Sequence, residues 1–269
     1  MWRTLLSLFV LVGGIGNLYP ETLFAKDVRP ETALRAGLTA DVDHVTYGAS
    51  FVLNNGQNVR LLGIKVPKPD ESPFMKQAEP FGFAAKSYVE QFVKGHHLTL
   101  YFDKTPQDRY GRLLAHVVRD DGIWLQKAML ESGLARVYSF PDNRWGVRTL
   151  LSFENQARED GHGLWSLPYY RVRTVDTLDG TTGSFQLFEG RVLHQNQGRG
   201  TIYLNFGKDW KQDMTVKIGK SWRKAFEHDG DMPDYSGNRV RVRGWIQSRN
   251  GPLISVTHPE QIELLSDKK

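Results

Sequence analysis

Residues 51–64 read F-V-L-N-N-G-Q-N-V-R-L-L-G-I. Two apolar, strand-forming runs, Ser50 to Leu53 and Asn58 to Ile64, flank Asn54-Asn55-Gly56. Asparagine and glycine tolerate the positive φ that a tight hairpin turn demands, so the stretch predicts two antiparallel strands. Immediately downstream the period changes. Phe81, Ala84, Ala85, Tyr88 and Phe92 recur at helical spacing, and Gly95 follows, predicting an amphipathic helix over 81–93. His97 to Phe102 and Arg112 to Val118 return to strand pattern. Trp124, Leu125, Ala128 and Met129 mark a second helix closed by Gly133, and Leu150 to Glu159 a third, stopped at Gly161. Strands with helices inserted and appended predict an α+β unit, a small closed β-barrel carrying helices, over residues 41–168.

Outward from this unit the organisation changes. Residues 169–184 read as a linker: Arg171 to Ser184 is polar, rich in Thr and Gly, and without apolar periodicity. Residues 185–266 are mostly β: Phe188 to His194, Thr201 to Phe206, Met214 to Ile218, Val240 to Gln247 and Leu253 to Val256 are strand candidates. Arg249-Asn250-Gly251 is a hairpin signal, and Trp222 to Glu227 reads as a short helix. Five strands and one helix fit a second small OB-like barrel or another small β-barrel. Residues 26–40 read as a mobile arm. Before them, Arg3, the apolar run Leu5 to Val12, and Gly13, Gly14 and Gly16 form an export-signal pattern, with cleavage near Ala25 and residues 1–25 removed. A periplasmic or secreted protein is expected, with no membrane attachment beyond that signal. The alternative for this run is an uncleaved anchor.

The chain has no cysteine, which excludes disulfides and thiolate metal sites. A net charge of +5 gives a weak bias toward anionic partners. None of the eight histidines falls into a metal-ligand spacing, and no Ser-His-Asp order, phosphate-binding glycine loop or dinucleotide fingerprint is present.

Four segments carry a resemblance: residues 51–64, D-R-Y-G-R-L-L-A at 108–115, G-L-A-R-V at 133–137, and G-L-W at 163–165. In order and spacing they resemble the staphylococcal nuclease (thermonuclease-like) family over about 130 residues. The resemblance implies an OB barrel with three helices. It also implies cleavage of phosphodiesters with a bound Ca²⁺, which two aspartates hold while a glutamate positions or activates water and two arginines grip the phosphate. Hard Ca²⁺ needs anionic oxygens, the attacking water needs a carboxylate acceptor, and the developing charge needs forked permanent cations.

Carried over by position, the arginines are Arg60 and Arg112, and Tyr110 stands where the family stacks or positions the nucleotide. The acids are missing. The D-G-D-T motif falls on Tyr47-Gly48-Ala49-Ser50, and D-T-P-E on Lys65-Val66-Pro67-Lys68. The metal aspartates are thus Ala49 and Lys65, and the general base is Lys68. Two ammonium groups at these positions repel a divalent cation, so the family's Ca²⁺ site is expected to be lost, with no other cofactor implied. Arg60, Lys65, Lys68, Arg112 and Tyr110 then form a candidate phosphate or polyanion pocket without hydrolysis. In the plainer alternative, Arg60 and Arg112 are structural ion-pair partners and the lysines are simply solvated. A second expectation is an active nuclease with relocated ligands, for which Asp41, Asp43, Asp70 and Glu71 are the candidates. A third is a protein–protein adaptor of the cell envelope.

In the second module, R-V-R-V-R-G-W at 239–245 alternates basic and apolar residues. One reading places Arg239, Arg241 and Arg243 on an exposed nucleic-acid-binding face; the other is an ordinary half-exposed strand. Tyr203, Phe206 and Trp210 are candidate base-stacking aromatics, or core packing.

Overall fold

A computed structural model describes residues 28–69, 79–209 and 212–266. The export signal expected over 1–25, together with Asp70, Glu71 and Trp210, lies outside the described residues. No described helix is long and apolar enough to cross a membrane.

The chain begins with a one-turn helix α1 (Pro30–Ala33), then runs β1 (Arg35–Ala40), β2 (Val42–Tyr47), β3 (Ser50–Leu53), β4 (Asn58–Leu61), β5 (Ile64–Lys65), α2 (Gly82–Val93), β6 (Leu98–Phe102), β7 (Leu113–Arg119), α3 (Leu125–Glu131), β8 (Arg136–Val137) and α4 (Val147–Glu159). Six strands form one sheet in the order β1-β6-β7-β4-β3-β2, and β5 pairs with β8. Its two edges, β1 and β2, are successive segments separated by Asp41 alone, so one bent strand closes the sheet on itself. The predicted hairpin is present, with Phe51 opposite Val59 and Ser50 opposite Arg60. Phe51, Leu53, Val59 and Leu61 fill the barrel with Val89 of α2, Leu100 and Val117. Arg60, between Val59 and Leu61, therefore points outward.

The second module comprises β9 (Phe185–Arg191), β10 (His194–Gly198), β11 (Thr201–Asn205), β12 (Thr215–Ile218), a 3-10 helix (Lys220–Ala225), β13 (Arg239–Ser248), β14 (Pro252–Val256) and β15 (Ile262–Leu265). Its strands run β10-β11-β12-β14-β13-β15, with β9 also on β13. The two modules follow one route. Each has a first strand in two halves, an antiparallel second and third, a helical connection, then two more strands. The last of these pairs parallel with the third: β4 with β7 in the first module, β12 with β14 in the second. That is the strand order of an OB-type barrel, repeated without visible sequence repeat.

Two motifs of the sequence meet in space. The Leu164 N–H donates to the Gly133 carbonyl at 2.8 Å, and a Cβ on Gly133 would lie 2.2 Å from the carbonyl oxygen of His162. Gly133 and Gly163 both sit at positive φ. G-L-A-R-V and G-L-W are thus two sides of one backbone contact that admits no side chain.

Two expectations are corrected. The described part of the expected arm, residues 28–40, is not simply an arm: β1 pairs with β6 through Thr39–Thr99 and Ala40–Leu98. Its side chains are largely exposed, so the pairing rests on the backbone and leaves no alternation in the sequence. Residues 169–184 are docked rather than free. The Tyr170 hydroxyl donates to the Pro80 carbonyl at 2.6 Å, and Arg173 exchanges backbone hydrogen bonds with Leu187 and Glu189.

Candidate phosphate-binding site

The strand pairing brings the separate motifs together. Arg60 lies opposite Ser50 on β3 and beside Leu114 on β7. The Leu61 N–H donates to the Ala49 carbonyl at 2.9 Å, so the first degenerate position abuts Arg60. Arg112 enters two residues before Leu114.

Arg112 is held by its own loop. The Asp108 Oδ2 accepts from Arg112 Nε at 2.8 Å, and its Oδ1 accepts the Tyr110 and Arg112 backbone N–H groups at 2.9 and 3.1 Å. Burial alone would raise the Asp108 pKa; these hydrogen bonds, that from the Arg112 side chain foremost, hold it below the usual carboxylate range. Tyr110 projects into solvent, 68% exposed. Arg109 lies over its ring at 4.8 Å and donates to its hydroxyl at 2.7 Å. Arg109 was missed in the sequence, since its only signal is adjacency to Tyr110.

Arg60 has neither an ion pair nor a side-chain hydrogen bond among the described residues. Its guanidinium stands 6.0 Å from the centre of the Phe140 ring. Burial, then the nearby charge of Arg112, lowers its pKa. Two guanidiniums thus stand near enough to oppose each other's charge, Arg112 paired with Asp108 and Arg60 without a carboxylate among the described residues.

The other half of the site is closed. Lys65 Nζ lies 3.4 Å from both carboxylate oxygens of Glu79, and the two side chains are 14% and 11% exposed. Glu79 Oε2 also accepts the Lys68 N–H at 2.9 Å. Lys65 Nζ stands 5.8 Å from the Trp245 ring, contributed by the second barrel. Burial pushes the Lys65 pKa down, with Arg136 and Lys68 adding to the effect and Glu79 opposing it. Lys65 is therefore not an open phosphate ligand, contrary to its place in the expected pocket: a partly buried ammonium needs a resident carboxylate, and Glu79 supplies it. The sequence hid Glu79 because fourteen residues and a change of element separate it from Lys65. Lys68 is half-buried, its backbone fixed by Glu79.

These groups do not fit Ca²⁺. The three family positions hold a methyl and two ammonium groups, and the nearby carboxylate, Glu79, is engaged by Lys65 and Lys68. Among the described residues no three His, Asp or Glu side chains cluster so as to hold a metal. Asp41 and Asp43 pair instead with His97 and His44 on the surface.

The arginine strand of the second barrel is a further correction. Arg243 is 1% and Arg241 7% exposed. Arg243 bridges Glu154 of α4 at 2.8 Å and Glu263 of β15 at 2.6 Å. Arg241 pairs with Glu189 at 2.7 Å and donates to Asn155 at 3.0 Å, while Arg239 lies 3.6 Å from Glu189. β13 pairs with β9, β14 and β15, and its outer face packs on the first module. The basic–apolar alternation thus marks two covered faces, one apolar and one ionic. Arg144–Glu260, the Arg136-to-Phe185 carbonyl bond and Ser139–His258 complete the contact between modules.

Residues 58–167 match the family described as staphylococcal nuclease homologue. The chain is 29% identical to the thermonuclease of Staphylococcus intermedius over 159 residues, 59% of this chain and 88% of that protein. It is 32% identical to endonuclease YncB of Bacillus subtilis over 121 residues, 44% of this chain and 57% of that protein. With a probable staphylococcal-like nuclease of Oryza sativa it shares 34% over 116 residues, 43% of this chain and 30% of that protein. The first module is a staphylococcal-nuclease-like domain. The second lies outside the family match.

Proposed function

We propose that this chain is an exported nuclease-fold protein that grips single-stranded nucleic acid, or a related polyanion, without Ca²⁺-dependent hydrolysis. The observation that carries the reading is the Lys65–Glu79 pair, which stands where the family's ligand and base chemistry would operate. The open half, Arg60, Arg112 and Tyr110 with Arg109, retains the means to hold a phosphate and to stack a base. The relatives named as nucleases support nucleic acid as the polymer. The N-terminal signal pattern supports export, which fractionation of cells carrying the tagged chain tests.

Binding is tested by titrating a labelled oligodeoxythymidylate at several salt concentrations. Arg60→Ala and Arg112→Ala are each expected to weaken binding and flatten the log Kd against log salt plot by about 0.7 per lost contact. Unchanged affinity and slope in both variants would remove the reading.

A further inference from the structure

The second barrel carries a cavity of about 470 Å³, lined by Asn196, Tyr203, Asn205, Thr215, Lys217, Arg249, Asn250 and Leu253. It is distinct from the buried arginine strand and from the Arg60–Arg112 site. We infer that this cavity is a second binding site for single-stranded nucleic acid, taking one base on Tyr203 and the adjoining phosphates on Lys217 and Arg249.

The strand register builds it. Asn196, Tyr203 and Lys217 are directly opposite one another across β10, β11 and β12, and so form one row on one face. The next row on that face holds Asn205, Thr215 and Leu253. Tyr203 thus has an amide on one side, a cation on the other, and a polar row behind.

The β13–β14 turn forms the rim. It is a three-residue loop, Arg249 to Gly251, between the paired Ser248 and Pro252, and Asn250 and Gly251 both have the positive φ that tight hairpin loops use. A Cβ on Gly251 would lie 2.5 Å from the Gln212 carbonyl oxygen, so the turn is pressed against the β11–β12 connection and Arg249 is held at the edge.

The chemistry selects the ligand. Lys217 and Arg249 have no ion-pair partner, and no carboxylate lines the cavity, among the described residues, which favours an anion over a metal ion. Asn205, 8% exposed, accepts from Thr215 Oγ1 at 3.3 Å, leaving its Nδ2 without a partner among the described residues. The Asn205 Nδ2 and the amides of Asn196 and Asn250 offer donors and acceptors to a base edge, while the half-buried Tyr203 offers a ring face. An aromatic platform, amides and flanking cations together match a nucleotide unit within a single strand. The volume lies within the range of about 300–1,000 Å³ usual for small-ligand pockets.

This site extends the proposed nucleic-acid binding, and the test separates the two. Binding of a labelled oligodeoxythymidylate to the full chain is measured in wild type, in Arg60→Ala/Arg112→Ala, and in each of these with Tyr203→Ala or Lys217→Ala/Arg249→Ala added. Tyr203→Ala is expected to weaken binding about tenfold in both backgrounds. The double cation variant should reduce the salt slope by about 1.4. Tyr203→Phe should bind like wild type, and circular dichroism should be unchanged throughout. Loss confined to Tyr203→Ala and the Lys217/Arg249 variants sustains this site while removing the first. Complete loss in Arg60→Ala/Arg112→Ala alone overturns it. So does wild-type affinity in the Tyr203→Ala and Lys217/Arg249 variants, or absence of DNA binding by the wild type.

Discussion

Removing the Glu79 carboxylate should unlock the charge-reversed half of the first site. In Glu79→Ala, Lys65 Nζ loses both oxygens at 3.4 Å, and the Lys68 N–H loses its acceptor at 2.9 Å. At that separation and an effective dielectric near 20, the lost attraction is about 5 kcal/mol before desolvation is counted. Breaking a largely buried pair from one side typically destabilises by about 3–5 kcal/mol, because the remaining charge stays buried. Arg136 and Lys68, which already disfavour the Lys65 charge, place Glu79→Ala within that range. For a protein of this size the loss corresponds to a Tm lower by roughly 6–20 °C. Urea and thermal denaturation followed by circular dichroism measure it. Lys65→Met/Glu79→Gln, which removes the ammonium with its partner, should recover most of the stability. DNA affinity of Lys65→Met should change by less than about twofold, since the lysine is sequestered. If Glu79→Ala is within about 1 kcal/mol of wild type, or Lys65→Met weakens DNA binding as much as Arg60→Ala, the pair is not a structural lock.

Three further outcomes are expected. Glu154→Ala leaves Arg243 with Glu263 alone and deprives the Val137 N–H of its acceptor at 2.6 Å; a loss of about 3–5 kcal/mol is expected in urea denaturation. His258 and His116 are held neutral by burial, their pKa values depressed to about 4 and about 3. The unfolded chain takes up these protons below about pH 6.5, so their stabilisation is complete above that pH and declines as pH falls towards the folded values; the Tm-against-pH slope between 6.5 and 4 should be shallower in His258→Gln. Restoring the family's acids as Ala49→Asp/Lys65→Asp/Lys68→Glu with Glu79→Gln should create Ca²⁺ binding with Kd on the order of a millimolar or below, read by calorimetry.

The hairpin at 51–64 and the helix over 81–93 were legible because their periodicity is local and their turn chemistry is specific. Arg60 and Arg112 were singled out from motif spacing alone. What surrounds them was not. Glu79 closes over Lys65 only after α2 and β5 are packed, and Trp245 reaches the same lysine from another module. The Arg239–Arg243 alternation misled because period two reports the faces of a strand, not whether either meets water. Partners for Arg241 and Arg243 come from β9, α4 and β15, none of them adjacent in sequence. The barrel class of both modules was legible from their strands and helices, but the pairing within each was not: strand order is a property of pairing, and different side chains build the same pairing.

The most direct test is a cleavage assay on the purified full chain with a fluorophore-quencher single-stranded DNA, in Ca²⁺ and in EDTA. The expected result is salt-dependent binding without Ca²⁺-dependent cleavage, in wild type and Lys65→Met alike. EDTA-sensitive turnover by the wild type, abolished by Arg60→Ala, would contradict it and show that carboxylates other than those at the family positions complete a working metal site.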